Sequence, residues 1–401
     1  MARKMRDSGV EWIGEVPEGW SISRVKNVVE INHGQDPTTE GAIPVYGSGG
    51  GSFKTCGEYK DGPTVLLGRK GTIDAPHYIE GKYWNVDTAF DVKAKTDVSL
   101  KWFYYLAICF DYKTYISQTA VPSMTQSDYR NMAIPCPSHG VQRRIADYLD
   151  EKCAAIDGAI GELKRGMEDC KAWKKAIIEE TVFSGLRHKE SVETGDDWLI
   201  SIPSSWGFEQ IRYLFALRDE RNDKPLSEVN LISLYTDQGV VQHCDLEKTT
   251  GNKASTADGY KIVKENDIVV NIILCWMGAI GRSAYNGVTS PAYDVYRPVD
   301  ESRVLSRYYH YLFRTSRFNG KCYQEGRGIM MMRWRTYSSE FRAIKVPVPP
   351  MKEQQAIADY LDEKCAAIDA LVAEKEKLIA DLEAYKKSLI FELVTGKREV
   401  A

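Results

Sequence analysis

Two stretches of the chain place apolar residues mostly at alternating spacings of three and four for about 40 residues each. In the first the stripe is Leu149, Cys153, Ile156, Ile160, Leu163, Met167, Cys170 and Ile177. In the second it is Leu361, Cys365, Ile368, Leu371, Leu378, Leu382, Tyr385 and Leu389. Glu, Lys and Asp fill the other faces, so the pattern predicts long helices with a narrow coiled-coil seam. At 1.5 Å per residue, each would span roughly 60 Å. Prolines at 135, 137, 347, 349 and 350 stop upstream extension. Ser184-Gly185 and Thr395-Gly396 supply C-terminal stops. A lone helix of this kind would leave its stripe in water, so the two are expected to pack on each other as a spacer.

The stripes belong to a repeat. The thirteen residues IADYLDEKCAAID occur at 145–157 and again at 357–369, an offset of 212 positions. The likeness continues more loosely as AWKKAII at 172–178 and AYKKSLI at 384–390. Ahead of each helix the copies share only landmarks. Trp12, Pro17 and Trp20 correspond to Trp198, Pro203 and Trp206, both spelling W-x4-P-x2-W. IPCPS at 134–138 corresponds to VPVPP at 346–350, followed by Gln142 and Gln354. LLGRKGTI at 66–73 and MGAIGRSA at 277–284 read as equivalent Gly-punctuated strand-turn segments. The order of parts is globular, helix, globular, helix.

Composition changes this picture little. Two mixed domains of about 130–160 residues can each bury a core, and 43% hydrophobic content argues against disorder. There is no uncharged apolar run of the ~18 residues a membrane span needs, and the N-terminus lacks a signal-peptide core. Nine cysteines without a CxxC pair read as reduced thiols in a cytoplasm, with Cys153 and Cys365 in packing roles.

The net charge of −3 gives no global cationic signature, but a local basic face is enough to bind phosphates. Between 303 and 345 lie ten Lys and Arg against Glu325 and Glu340, interleaved with Tyr308, Tyr309, Tyr311, Phe313, Tyr323 and Trp334. That mixture suits a DNA-contacting surface; the plainer reading is an Arg-rich helix edge over core tyrosines.

Catalysis by this chain is not expected. The amino-methyltransferase signature [DNS]PP[YF] is absent, since Pro349-Pro350 is followed by Met351. GxxxxGK[ST], HExxH, GxSxG and Cys/His ligand spacings are also missing, and the six histidines are scattered. No metal site is expected.

The tandem repeat, the W-x4-P-x2-W openings and the proline-rich run into EQQAIADYLDEK together resemble the specificity (S) subunit of type I restriction-modification systems, over essentially the whole chain. GAIPVYGSGGGSF, LLGRKGTI and YWNVDTAFDV look like parts of a target-recognition domain of that family. The resemblance implies an α+β fold: two globular mixed α/β target-recognition domains joined by two long antiparallel helices in coiled-coil contact, pseudo-two-fold symmetric. DNA strands are antiparallel, so two similar readers related by a two-fold axis require the same helix arrangement. The expected segments are a first recognition domain (1–140), a first spacer helix (141–186), a second recognition domain (187–352) and a second spacer helix (353–397).

By the same resemblance, the partners would be double-stranded DNA, two methyltransferase (M) subunits and restriction (R) subunits, with no membrane. S-adenosylmethionine, ATP and Mg would bind those partners, and this chain would carry no cofactor. Near-identical helices suit two copies of one partner; unlike globular domains suit an asymmetric bipartite target. Outward residues repeat too, making Asp147, Asp150, Glu151 and Lys152, with Asp359, Asp362, Glu363 and Lys364, candidates for partner contact. Capping, a solvated face or recent gene conversion would also account for them. A DNA reader of a type IIB-like system, or a coiled-coil adaptor without DNA, remain alternatives.

For DNA contact, carry-over from the family marks the loop 46–51, with Tyr46 and Ser48, and the turn 68–71, with Arg69 and Lys70. Glycine-rich turns let backbone N–H groups approach phosphate. Thr119, Ser123, Thr125 and Gln126 offer short polar donors before the first helix, and GRGIMMMRW in the second copy puts Arg327 and Arg333 in the equivalent place. Ser233, Tyr235, Asn271, Trp276 and Arg282 are further candidates. Some of these glycines serve hairpin turns, and the methionine run has a core reading.

Overall fold

The protein is described here by a computed structural model covering residues 3–117, 121–187, 190–236, 238–242, 256–328 and 334–400. The long helices run over His139–Ser184 and Met351–Val394. The chain forms two compact units, Met1–Arg165 with Lys375–Ala401 and Gly166–Glu374. Each unit therefore takes one globular domain together with part of both long helices.

Within the first unit, Leu149, Cys153, Ile156 and Ile160 share one core with Leu389, Ile390, Leu393 and Val394. Within the second, Val182 and Phe183 share a core with Ile357 and Leu361. The start of each helix lies beside the end of the other, so in both units the helices run antiparallel. Lysines break the apolar stripe in both helices, and one in each is paired across the seam. Lys174 takes the slot between Cys170 and Ile177 and binds Asp369 at 2.6 Å; Lys386 binds Asp157 at 2.7 Å. The lysines keep their stems against the seam and their charge on a carboxylate of the facing helix.

This register corrects the sequence reading of the second helix. From Ile368 the four-three spacing continues through Val372, Lys375, Ile379, Leu382, Lys386 and Leu389. Leu371, Leu378 and Tyr385 stand one position off that line and are 41%, 45% and 49% exposed. A leucine at a neighbouring position mimics the spacing, and a lysine in the seam hides it.

The globular domains share a core sheet. In the first, antiparallel strands lie in the order Val29–His33, Ala89–Ala94, Thr64–Gly68, His77–Ile79. In the second the same order is Phe215–Leu217, Tyr293–Pro298, Ile268–Asn271, Ile280–Arg282. The central strand Thr64–Gly68 is buried throughout, which explains its unbroken apolar run. The helix Leu100–Ile108 covers the first sheet with Trp102, Phe103 and Leu106. Ser306–Phe313 contributes Tyr308, Tyr309, Leu312 and Phe313 to the second core. Much of the aromatic content of 303–345 is therefore core.

The sheet order also corrects an equivalence: 66–73 leaves the third strand, whereas 277–284 contains the fourth, Ile280–Arg282. The structural counterpart of Gly68-Arg69-Lys70 is Asn271-Ile272-Ile273. The domains diverge outside this core. The first adds a four-stranded sheet containing the hairpin Ile43–Tyr46/Ser52–Cys56. The second adds two ribbons, Ile232–Tyr235/Gly239–Gln242 and Lys261–Val263/Gly287–Thr289, bridged at Leu231 and Val288.

Three fasteners join helix to domain, and all three occur twice. First, Gln142 is buried, accepts from Ser99 N at 2.9 Å and donates to Pro137 O at 2.9 Å. Gln354 likewise accepts from Leu305 N at 2.9 Å and donates to Pro349 O at 2.8 Å. Second, Asp150 receives Lys101 at 2.6 Å and the Tyr105 hydroxyl at 2.7 Å. Asp362 receives Arg307 and, at 2.5 Å, the Tyr311 hydroxyl. Burial, then the aspartate bond, pushes both phenols up, so they stay donors. Third, Gly185 and Gly396 end the helices at φ +76°. Gly185 abuts the Trp206 ring and Gly396 abuts Pro17 and the Trp20 ring. The W-x4-P-x2-W motif thus receives the end of a long helix in each unit.

Gln142→Leu should lower the thermal midpoint by several degrees, because a buried N–H and carbonyl lose their partners at about 1–3 kcal/mol each. Gln142→Glu, which keeps the acceptor, should fall between. Equal midpoints for wild type and Gln142→Leu would remove the glutamine from the fastening.

Candidate nucleic-acid interface

In the first domain the turn after strand Thr64–Gly68 carries Arg69 and Lys70 to the surface. Its backbone is fixed from three sides. Arg69 N and Lys70 N both donate to Thr88 O, at 2.8 and 3.2 Å. Met124 N donates to Arg69 O at 3.0 Å, and Gly71 N to Pro122 O at 2.9 Å. The Tyr129 hydroxyl donates to Gly68 O at 2.8 Å, its phenol pushed up by burial. Gly71 needs its φ of +87°. Ser48 Oγ donates to Lys70 O at 2.7 Å, tying the glycine loop to the turn. In that loop Gly50 faces the His77 ring so closely that a Cβ would stand 2.0 Å from it. Burial pulls the His77 imidazole down, favouring the neutral ring.

These segments surround a cleft of about 370 Å³ lined by His33, Arg69, Lys70, Ser123, Thr125 and Gln126, among others. Five of the expected contacts therefore converge. Ser48 adjoins through Lys70, and Tyr46 ends the hairpin strand opposite Ser52. Thr119 lies outside the described residues. Some of these side chains also have local work. Thr125 caps the helix Gln126–Asn131 in a capping box with Asp128. Gln126, which lines the cleft, donates to Ile31 O at 2.6 Å. Ser123 Oγ lies 2.7 Å from Ser117 Oγ.

Sequence reasoning missed Asp87. Its carboxylate holds Arg69 at 3.2 Å and Lys70 at 3.6 Å. The two cations share one carboxylate. The arginine keeps further N–H groups for a ligand. Asp87 lies within YWNVDTAFDV, but nothing in the sequence pairs it with a turn 18 residues away.

The second domain keeps the backbone scheme and exchanges the side chains. Thr336 N donates to Ile272 O at 3.0 Å, as Met124 N does to Arg69 O. Isoleucines stand where Arg69 and Lys70 stand. Charge comes instead from Arg335, which occupies the place of Ser123 and bridges Arg327 in backbone pairing. Applying the 212-residue offset to Ser123 would have found Arg335. Arg327 is 73% exposed along its side chain and binds Glu340 at 2.5 Å. Arg333 lies outside the described residues.

Trp276, Tyr323 and Trp334 form a row, with ring centroids 5.5 and 5.0 Å apart. Trp276 donates to Ile273 O at 2.9 Å. Arg282 donates to Asn266 Oδ1 at 2.8 Å, and Ser233 and Tyr235 lie on the ribbon Ile232–Tyr235, Tyr235 37% exposed. Asn271 is buried, accepting from Ile273 N at 3.0 Å and Leu274 N at 3.3 Å. Both bonds shape the turn that follows the strand.

The basic stretch 303–345 is less open than its composition suggests. Arg303 binds Glu209, Arg307 binds Asp359 and Asp362, and Lys321 binds Glu325. Several of these acids lie outside the stretch, so counting within it overstated the free charge. Among the partner candidates, Asp150 and Asp362 are held by their own domains, and Asp359 by Arg307 and Gln355. Lys152 binds Glu151 at 3.0 Å and Lys364 binds Glu363 at 3.7 Å. Asp147, Glu151, Asp359 and Glu363 are exposed. Among the described residues no cluster of His, Cys, Asp or Glu could hold a metal, and no helix is long and apolar enough to cross a membrane.

The repeated scaffold agrees with sequence comparison, where residues 17–160 and 205–381 match the Type I restriction modification DNA specificity domain. The chain belongs to that family. It is a specificity subunit of the type I restriction-modification kind. A Haemophilus influenzae protein provisionally named as a type I restriction enzyme specificity subunit is 21% identical, over 90% of this chain and 89% of that one. The type I restriction enzyme MjaVIII specificity subunit of Methanocaldococcus jannaschii is 22% identical, over 84% and 76%. The fold is shared with a chain solved in a study of complex assembly and conformational transition of the type I R-M system. Its TM-score is 0.73 at 14% identity, covering 96% of this chain and 99% of that one. The HsdS subunit of Thermoanaerobacter tengcongensis matches with a TM-score of 0.54 at 14% identity, covering 96% and 98%.

Proposed function

We propose that this specificity subunit reads a bipartite, asymmetric target in duplex DNA, each globular domain reading one half. The repeated helices recruit two methyltransferase subunits, and restriction subunits join that core. S-adenosylmethionine, ATP and Mg are bound by those partners, which carry out the chemistry; this chain contributes selection, in the cytoplasm, where the DNA is.

The observation that carries this reading is unequal divergence on one scaffold. Core sheet, glutamine and aspartate fasteners and helix stops recur in both copies, while the projecting ribbons and the side chains on the equivalent turns differ. A fixed backbone that presents Arg69 and Lys70 in one copy and Ile272 and Ile273 in the other suits two different base sequences. The exposed carboxylates Asp147, Glu151, Asp359 and Glu363 recur with the helices, as two copies of one partner require.

Co-expression with the methyltransferase of the same system tests the reading. The complex should co-purify and shift duplex containing the cognate site well below the concentration needed for unrelated duplex. A chain that purifies alone and does not discriminate between duplexes would refute the assignment.

A further inference from the structure

The second unit contains a cleft of about 1160 Å³ whose walls include part of the repeated helices, lined by Lys171, Lys174, Lys175, Gln238, Arg314 and Asn319 among others. Its four cations face two carboxylates: Glu168, 2.8 Å from Lys171, and Asp369, bound to Lys174. Arg314 donates to the carbonyls of Ile280 at 3.0 Å and Thr236 at 3.2 Å, holding the ribbon turn against the core. His310 also lines the cleft, and Arg282 N donates to its Nδ1 at 3.1 Å. Burial, then Arg314 and Arg282, pulls this imidazole down to about 3. The ring is neutral and carries its proton on Nε2.

The repeat provides an internal control. At the matching places in the first unit Lys386 and Lys387 recur, but Lys171 becomes Glu383, His310 becomes Tyr104 and Arg314 becomes Ile108. Tyr104 packs against Tyr78 and Tyr105 with tilted rings, centroids 5.9 and 5.2 Å apart. Joining helix to domain therefore does not require the basic cleft.

The lining selects the occupant. A protein partner is normally held by an apolar centre with a polar rim, but only a few apolar side chains, such as Ile178 and Met277, line this cleft. Amide, hydroxyl and cationic donors outnumber them among the lining side chains, which suits oxyanions. The cleft also borders the candidate base-reading residues: Thr236 follows Tyr235, Met277 follows Trp276, and His310 accepts from Arg282. We infer that it takes phosphates of the DNA backbone flanking the bases the second domain reads, with Lys171 and Lys175 supplying the exchangeable charge. This rests on the DNA reading proposed above. It makes a repeated helix a direct DNA contact as well as a spacer.

The test uses the methyltransferase complex and fluorescence anisotropy on cognate and unrelated duplexes across a salt series, comparing wild type with Lys171→Gln/Lys175→Gln. Both lysines are exposed, so folding should be preserved. The double variant should bind both duplexes more weakly by similar factors. Its slope of log affinity against log salt should be shallower by roughly one to two. Unchanged affinity and slope would overturn the inference, as would loss of co-purifying methyltransferase with an unchanged slope, which would place a protein there. A wild-type complex that binds no duplex would instead overturn the DNA reading itself.

Discussion

Gly396→Val is expected to destabilise the first unit by roughly 3 kcal/mol or more, against about 1 kcal/mol for an ordinary substitution. Two costs add. The residue sits at φ +76°, where a side chain costs about 1–2 kcal/mol and a β-branched one more. Its first carbon would stand 2.6 Å from Pro17 and 3.0 Å from the Trp20 ring. Trp20 belongs to a core that includes Leu393 and Val394, and Pro17 is buried in the strand Glu15–Pro17, so neither can give way cheaply. Gly185→Val should cost less. It shares the φ of +76°, but its nearest neighbour, at 2.8 Å, is the flexible end of Glu353, and the Trp206 ring is at 3.2 Å. Denaturant unfolding of the two variants checks the ranking; equal midpoints would show that the tryptophan contacts do not decide how the long helices are held.

The second large effect is on binding. Arg69→Ala should weaken binding to cognate duplex by about 5- to 150-fold, the ~1–3 kcal/mol of a lost arginine contact to a base edge. Binding to unrelated duplex should fall much less, since a phosphate contact alone would lower both equally. Asp87→Asn separates aim from charge. It removes the carboxylate that holds Arg69 and Lys70, so unrelated DNA should bind somewhat more tightly while discrimination narrows. If Arg69→Ala lowers cognate and unrelated binding by the same factor, Arg69 contacts phosphate and the base reading at this turn lies elsewhere in the cleft.

Features governed by local rules were legible in the sequence. The long helices, their stops at Gly185 and Gly396 and the duplicated architecture follow from periodicity, glycine chemistry and identity. Features set by pairing across the fold were not. Lys174 and Lys386 sit in the seam because a carboxylate faces them, and Leu371 and Leu378 gave a misleading line one residue away. Asp150 and Asp362 read as outward partner contacts because the chain does not show that Lys101, Tyr105, Arg307 and Tyr311 come to meet them. In the first domain, Arg69, Lys70, Ser123, Thr125 and Gln126 line one cleft, and their segments carry the glycine-turn and capping signals that singled them out. In the second, the burial of Asn271 and its bonds to the turn were not legible from residue type, and only the repeat offset distinguishes Arg335 from its basic neighbours.

The most direct measurement is genome-wide mapping of methylated bases in the host with and without this gene. The account predicts methylation that depends on the gene and falls in a motif of two unlike halves separated by a fixed number of unspecified bases, with Arg69→Ala relaxing only one half. An unchanged methylation pattern, or a single uninterrupted motif, would contradict it.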